Sequence, residues 1–192
     1  MLRGILAAVS LLLLLGVYYT AGVQLPVYDP QRAVVGEFLK AVFFHLTPLS
    51  SIFGDGVKIT GVNFVLSSSY GPLPLFSLAL AGLLVGLMSR SLPQAITAAL
   101  TTSMLLMIMA IMLMIGFLPS LPMQSEDLRW QIDTVFSTIL IEKPLELPVM
   151  VAALTLASIP TGIIMERLWS QQLRDERPLF SWRRRTYLKN TA

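Results

Sequence analysis

The chain has 192 residues, of which 55% are hydrophobic and 13% charged, with a mean hydropathy of +0.71. Soluble domains carry about 25% charged residues, so a water-soluble fold would lack the polar surface to cover itself, whereas a bilayer solvates the excess apolar surface. No cysteine is present, which excludes disulfides, thiolate metal sites, iron–sulfur clusters and cysteine nucleophiles, and the net charge of +3 is weighted to the C-terminal end.

A hydrocarbon core about 30 Å thick needs roughly 20 apolar helical residues to cross it. The first stretch that qualifies, about residues 4–22, follows Arg3 and ends near Tyr18 and Tyr19, as interfacial aromatics should. It reads as an uncleaved signal anchor rather than a removed signal peptide.

Residues 23–72 form a first outer loop too apolar to be a solvated linker. Within it, 33–46 reads as a helix bearing Glu37, Lys40 and His45. Charges in hydrocarbon cost several kcal/mol on insertion scales, so the segment is expected to be an interfacial or partly buried amphipathic helix. Pro48 ends it, and Gly54-Asp55-Gly56 signals a turn. Residues 57–66 look extended, with Gly61 at a change of alternation that suggests a bulge.

Two further apolar stretches, 73–89 and 93–118, are separated by Arg90-Ser91-Leu92 and are expected to form a tight antiparallel hairpin, with Ser91 as cap and Pro93 in the first turn. At 1.5 Å per residue the second is about 39 Å long, more than the hydrocarbon core needs. A second outer loop, 119–146, holds a helix cap at Ser125 followed by Glu126 and Asp127, then Leu128, Ile132, Val135, Phe136 and Ile139 at helical spacing, until Pro144. The last apolar stretch, 147–168, contains Pro160, which removes a backbone donor and predicts a kink.

Placing the N-terminus inside assigns nine Lys and Arg to the inner side (Arg3, Arg90, Arg167, Arg174, Arg177, Arg183, Arg184, Arg185 and Lys189) and five to the outer (Arg32, Lys40, Lys58, Arg129 and Lys143). The positive-inside rule therefore puts both termini in the cytoplasm of a cell-membrane protein. The sequence reads as one all-α membrane domain: a four-transmembrane-helix bundle, two extracytoplasmic amphipathic helices, a short extended segment and a basic tail over 169–192.

Motifs are few. Gly82 and Gly86 form a Gly-x-x-x-Gly pair, and Ala95/Ala99, Ala98/Thr102, Ala153/Ala157 and Ser158/Gly162 are small pairs of the same spacing. Such faces allow helices to approach closely, within the bundle or between molecules. Met104, Met107, Met109, Met112 and Met114 crowd the third span, but no two are four apart as in copper-importing channels, so they read as flexible apolar filler rather than copper ligands. Trp182, Arg183, Arg184 and Arg185 are expected to touch anionic headgroups or a partner.

No Asp, Glu, Lys, Arg or His lies between Arg90 and Glu126, and the other spans carry them only at an end. Proton relays place ionisable groups within the membrane, which makes the chain alone a poor proton-coupled transporter. The single histidine, His45, reads as an interfacial side chain and builds neither a triad with cysteine nor a multi-histidine metal site. No catalytic constellation, metal site, nucleotide cradle or other cofactor site is apparent. Membrane lipid and other membrane subunits, or a second copy, are the expected partners, not nucleic acid or metal.

The leading expectation is a non-catalytic structural or accessory subunit of a larger membrane complex. The alternative is a passive channel or a membrane component of a transporter, as a single chain or a homo-oligomer, motivated by Pro160 and the hydroxyls of Thr97, Thr101, Thr102, Thr155 and Ser158. A third reading is a lipid-active enzyme using Glu37, His45, Asp127 or Asp133 at the outer surface.

Overall fold

A computed structural model describes residues 1–20, 30–53, 58–59, 64–65, 70–117, 133 and 137–175. Apart from one two-residue antiparallel ladder, the elements are helical: α1 (Leu2–Thr20), α2 (Pro30–Leu46), α3 (Pro48–Phe53), β1 (Lys58–Ile59), β2 (Phe64–Val65), α4 (Leu73–Leu87), α5 (Leu92–Phe117), a π-helical turn (Ser137–Glu142) and α6 (Glu146–Asp175). Among the described residues three helices are long and apolar enough to cross a membrane: α1, α5 over Leu92–Leu113 and α6 over Glu146–Gln171. The fourth apolar helix, α4, is shorter.

Local sequence sets most helix ends. Pro74 sits in the first turn of α4 after Pro72, where its missing donor costs nothing. Helix α4 stops at Leu87, where Met88 and Ser89 bond back to Leu84 and Gly86. The Ser89 hydroxyl donates to the Val85 carbonyl at 2.8 Å. Helix α6 runs unbroken through the exposed Pro160 and on to Asp175, so its last turns belong to what the sequence suggested was tail.

Small residues fix how the helices pair. A Cβ on Gly82 would meet the Leu154 carbonyl and would lie 2.9 Å from the Ala157 Cβ; one on Gly86 would meet Thr161 Oγ1 and the Ser158 carbonyl. Helices α4 and α6 therefore run parallel, backbone against backbone. A Cβ on Gly162 would lie 3.0 Å from that of Ala95, and Glu166 meets Leu92, so α5 and α6 are antiparallel. Gly4 faces Val85 and Met88, which makes α1 and α4 antiparallel. Helices α4 and α5 touch each other less than each touches α6. The hairpin expected from their short connection is a hairpin in the chain, but α6 makes its principal contacts.

Helix α2, expected to be interfacial or partly buried, is decided by its burial. Leu39 to Thr47 are all buried, none more than 4% exposed, and Phe43, Phe44, Val42 and Leu46 belong to the same core cluster as Leu12, Leu78, Leu106 and Leu154. The C-terminal half of α2 is core, not an interfacial helix. Its amphipathic charge pattern is weak because only Lys40 and His45 interrupt the apolar run there. The extended segment also differs: instead of one bulged strand, Lys58 pairs with Val65 and Ile59 with Phe64 in a small hairpin. Gly61, and Leu128, Ile132, Val135 and Phe136 of the expected second outer helix, lie outside the described residues. Ile139 falls in the π-helical turn rather than in an α-helix.

Candidate functional site

Helix α2 carries polar residues into the end of the bundle where the C-terminal half of α1 meets the start of α4. It crosses α1 at Gly16, where a Cβ would lie 2.8 Å from the Cα, Cβ and carbonyl oxygen of Ala41. One turn further along α2, His45 reaches between α1 and α4. Its Nε2 lies 2.7 Å from the Leu12 carbonyl oxygen, and its Nδ1 lies 2.9 Å from Ser77 Oγ. Ser77 Oγ in turn lies 2.8 Å from the Pro74 carbonyl of its own helix. His45 and Ser77 are buried, at 0% and 3% exposure. The ring stands edge-on to Phe44, with centroids 5.0 Å apart; Phe44 stacks on Tyr19 and meets Tyr70 edge-on.

The geometry fixes the tautomer. A carbonyl only accepts, so the short contact to Leu12 requires the proton of the neutral ring on Nε2. That leaves the Nδ1 lone pair facing the Ser77 hydroxyl. The arrangement ties three helices together through one imidazole, and each contact is within ordinary hydrogen-bond length.

A second polar feature closes the same end of the bundle. Glu146, 2% exposed at the start of α6, accepts a 2.7 Å hydrogen bond from the Leu49 backbone N–H at the start of α3. A carboxylate suits the unsatisfied donors of a helix N-terminus. Lys40 is also buried, at 3% exposure. At the opposite end of the bundle, Glu166 accepts a 2.9 Å hydrogen bond from the Leu92 N–H at the start of α5, and Arg90 lies over the Trp169 ring at 4.9 Å.

Of the residues singled out in the sequence, Gly82, Gly86, Ala95, Ala157, Ser158 and Gly162 meet at the α4–α6 and α5–α6 contacts. Ala99 is fully buried, and Ala153 is half-buried against the core. Trp182, Arg183, Arg184, Arg185 and Asp127 lie outside the described residues, as does the side chain of Glu37. Asp133 is exposed, unlike His45, so the pair does not share one environment. Met104 and Met112 are exposed at 59% and 67%, whereas Met109 packs on the core.

The hydroxyls considered for a pore bond within their own helices. Thr97 donates to Pro93, Thr101 to Thr97, Thr102 to Ala98, Thr155 to Val151 and Ser158 to Thr155. Thr97 and Thr101 are exposed, while Thr102 and Ser158 are fully buried, so they do not line one face. Likewise, Thr161 donates to the Ser158 carbonyl, not to the Leu156 carbonyl that Pro160 leaves without its donor.

Sequence reasoning missed Ser77, Glu146 and Glu166 as partners, because each acts on an element distant in the chain. The one legible signal was that Phe43-Phe44-His45-Leu46 places the histidine inside an apolar run. Comparison with family models, with characterised proteins and with solved structures gives no match.

Proposed function

We propose that the chain is a non-catalytic, structural or accessory subunit of a larger complex in the cell membrane. In this reading α1, α4, α5 and α6 are four crossings, with both termini cytoplasmic and α2, α3 and the short hairpin on the outer side. The shared depth of the helix pairs supports the crossings. The gathering of Arg90, Glu166, Arg167 and Trp169 at the inner end supports the orientation.

The observation that carries the reading is the use of the hydroxyls. A pore through the bundle needs polar groups turned toward water, but Thr102, Thr155 and Ser158 are directed at carbonyls of their own helices. The close α4–α6 contact fills the space between those helices with backbone and small side chains. What the bundle offers to its surroundings is apolar surface, including Leu100, Met104, Ile108 and Met112 along α5.

Extraction of the tagged protein in mild detergent, with its native mass and the mass spectrometry of copurifying chains, tests this directly. Stoichiometric foreign subunits are expected; a monodisperse monomer without partners overturns the proposal. The second reading, a passive pore between copies, is favoured only by the exposed position of Thr97 and Thr101 on α5. A single species built of several copies of this chain would favour it.

A further inference from the structure

The transmembrane stretches contain no ionisable group in their interiors, yet α2 delivers one there. Leu12, which His45 contacts, lies about 12 Å along α1 from its Thr20 end at 1.5 Å per residue. Ionisable residues buried in a membrane bundle are costly and commonly mark functional positions. A buried histidine is otherwise explained as core packing, so the question is what its hydrogen bonds add.

The count of protons distinguishes this histidine from an inert one. Nε2 must donate to Leu12. Ser77 has a single proton but two acceptors within reach, His45 Nδ1 at 2.9 Å and the Pro74 carbonyl at 2.8 Å. With the ring neutral, the hydroxyl serves Nδ1 and leaves Pro74. With the ring protonated, Nδ1–H donates to Ser77 Oγ, and the hydroxyl turns to donate to Pro74. Every contact is then used, and no heavy atom needs to move.

We propose that His45 and Ser77 form a proton-binding site in the bundle interior, shared by α1, α2 and α4. One proton adds to Nδ1, the neutral imidazole becomes imidazolium, and rotation of one hydroxyl completes the change. The buried charged side chains on the packed elements are Lys40 on α2 and Glu146 on α6, while Glu166 and Arg167 of α6 lie at the opposite end of the bundle. Among their described side chains α3, α4 and α5 contribute none, and α1 contributes only Arg3 at its other end. The backbone carbonyl of Leu12 and the Ser77 hydroxyl, rather than a carboxylate, therefore make the contacts that receive the charge. The proposal is independent of the accessory-subunit reading, because it concerns the chain's own interior.

The single histidine makes the test specific. Protein labelled with 15N-histidine in lipid nanodiscs gives one pair of ring signals. Near neutral pH the expected spectrum has a protonated Nε2 and a bare Nδ1. On acidification Nδ1 gains its proton while helicity is retained. Charge-assisted hydrogen bonds are about twice as strong as neutral ones. Ser77→Ala is therefore expected to lower the midpoint by about one pH unit, a tenfold loss of proton affinity, and Ser77→Thr to restore it. A proton on Nδ1 at neutral pH, a ring that stays neutral until the helices unfold, or an unchanged midpoint in Ser77→Ala overturns the proposal.

Discussion

Gly86 shows how one missing side chain sets the distance between two helices. Any Cβ there would meet both Thr161 Oγ1 and the Ser158 main-chain carbonyl. The first obstacle is a side chain, but the second is backbone and has no alternative rotamer. Overpacking a close contact costs about 1–3 kcal/mol, so Gly86→Ala is expected to lower thermal stability in detergent by that order. Thr161→Ala is expected not to rescue it, since the Ser158 carbonyl remains. Full rescue by Thr161→Ala would show that the side chain alone sets the spacing. The Gly-x-x-x-Gly spacing made this close approach legible in the sequence, but not its partner. The same pattern permits contact with α6, α5 or another copy, and only the three-dimensional arrangement selects among them. The His45–Ser77 contact was not legible for a similar reason: the two residues are 32 positions apart, and one hydroxyl in an apolar helix ordinarily bonds to its own backbone.

At the scale of elements, α1, α4, α5 and α6 follow from length and apolarity, whereas α2 does not. Glu37, Lys40 and His45 argued against a membrane span and left it either interfacial or partly buried, because an unpartnered charge in hydrocarbon is expensive. Burial by protein changes that balance, since a polar group surrounded by partners is not exposed to lipid. His45 finds its partners on α1 and α4, and Gly16 lets α2 come near enough to reach them. A cysteine scan separates an inserted helix from an interfacial one, and the natural absence of cysteine provides the background. Phe38, 39% exposed, is expected to react with thiol reagents as cysteine, while cysteines at Ala41, Val42 and Phe44 are expected to be protected. An interfacial helix would instead expose one of these three, because Ala41, Val42 and Phe44 point in different directions around α2. Gly16→Ala, by pushing against the backbone of Ala41, is expected to raise reactivity along this segment.

For the whole molecule, the decisive issue is whether water reaches the hydroxyls of α5 and α6. The sequence places Thr97, Thr101, Thr102, Thr155 and Ser158 at membrane depth, and sequence alone permits them to share one wet face. The fold distributes them instead. Thr97 and Thr101 look outward from α5, whereas Thr102 and Ser158 are enclosed. In an accessory subunit the outward pair meets lipid or an apolar partner, and the enclosed pair meets protein. Single cysteines at Thr97, Thr101, Thr102 and Ser158 are therefore all expected to resist a charged, membrane-impermeant thiol reagent in intact vesicles. A pore assembled between copies would make Thr97 and Thr101 reactive and leave Thr102 and Ser158 protected. A pore through a single bundle would reverse that pattern. The three outcomes differ because the exposed and buried hydroxyls belong to separate surfaces of one bundle, so the pattern of reactivity identifies which surface, if either, faces water.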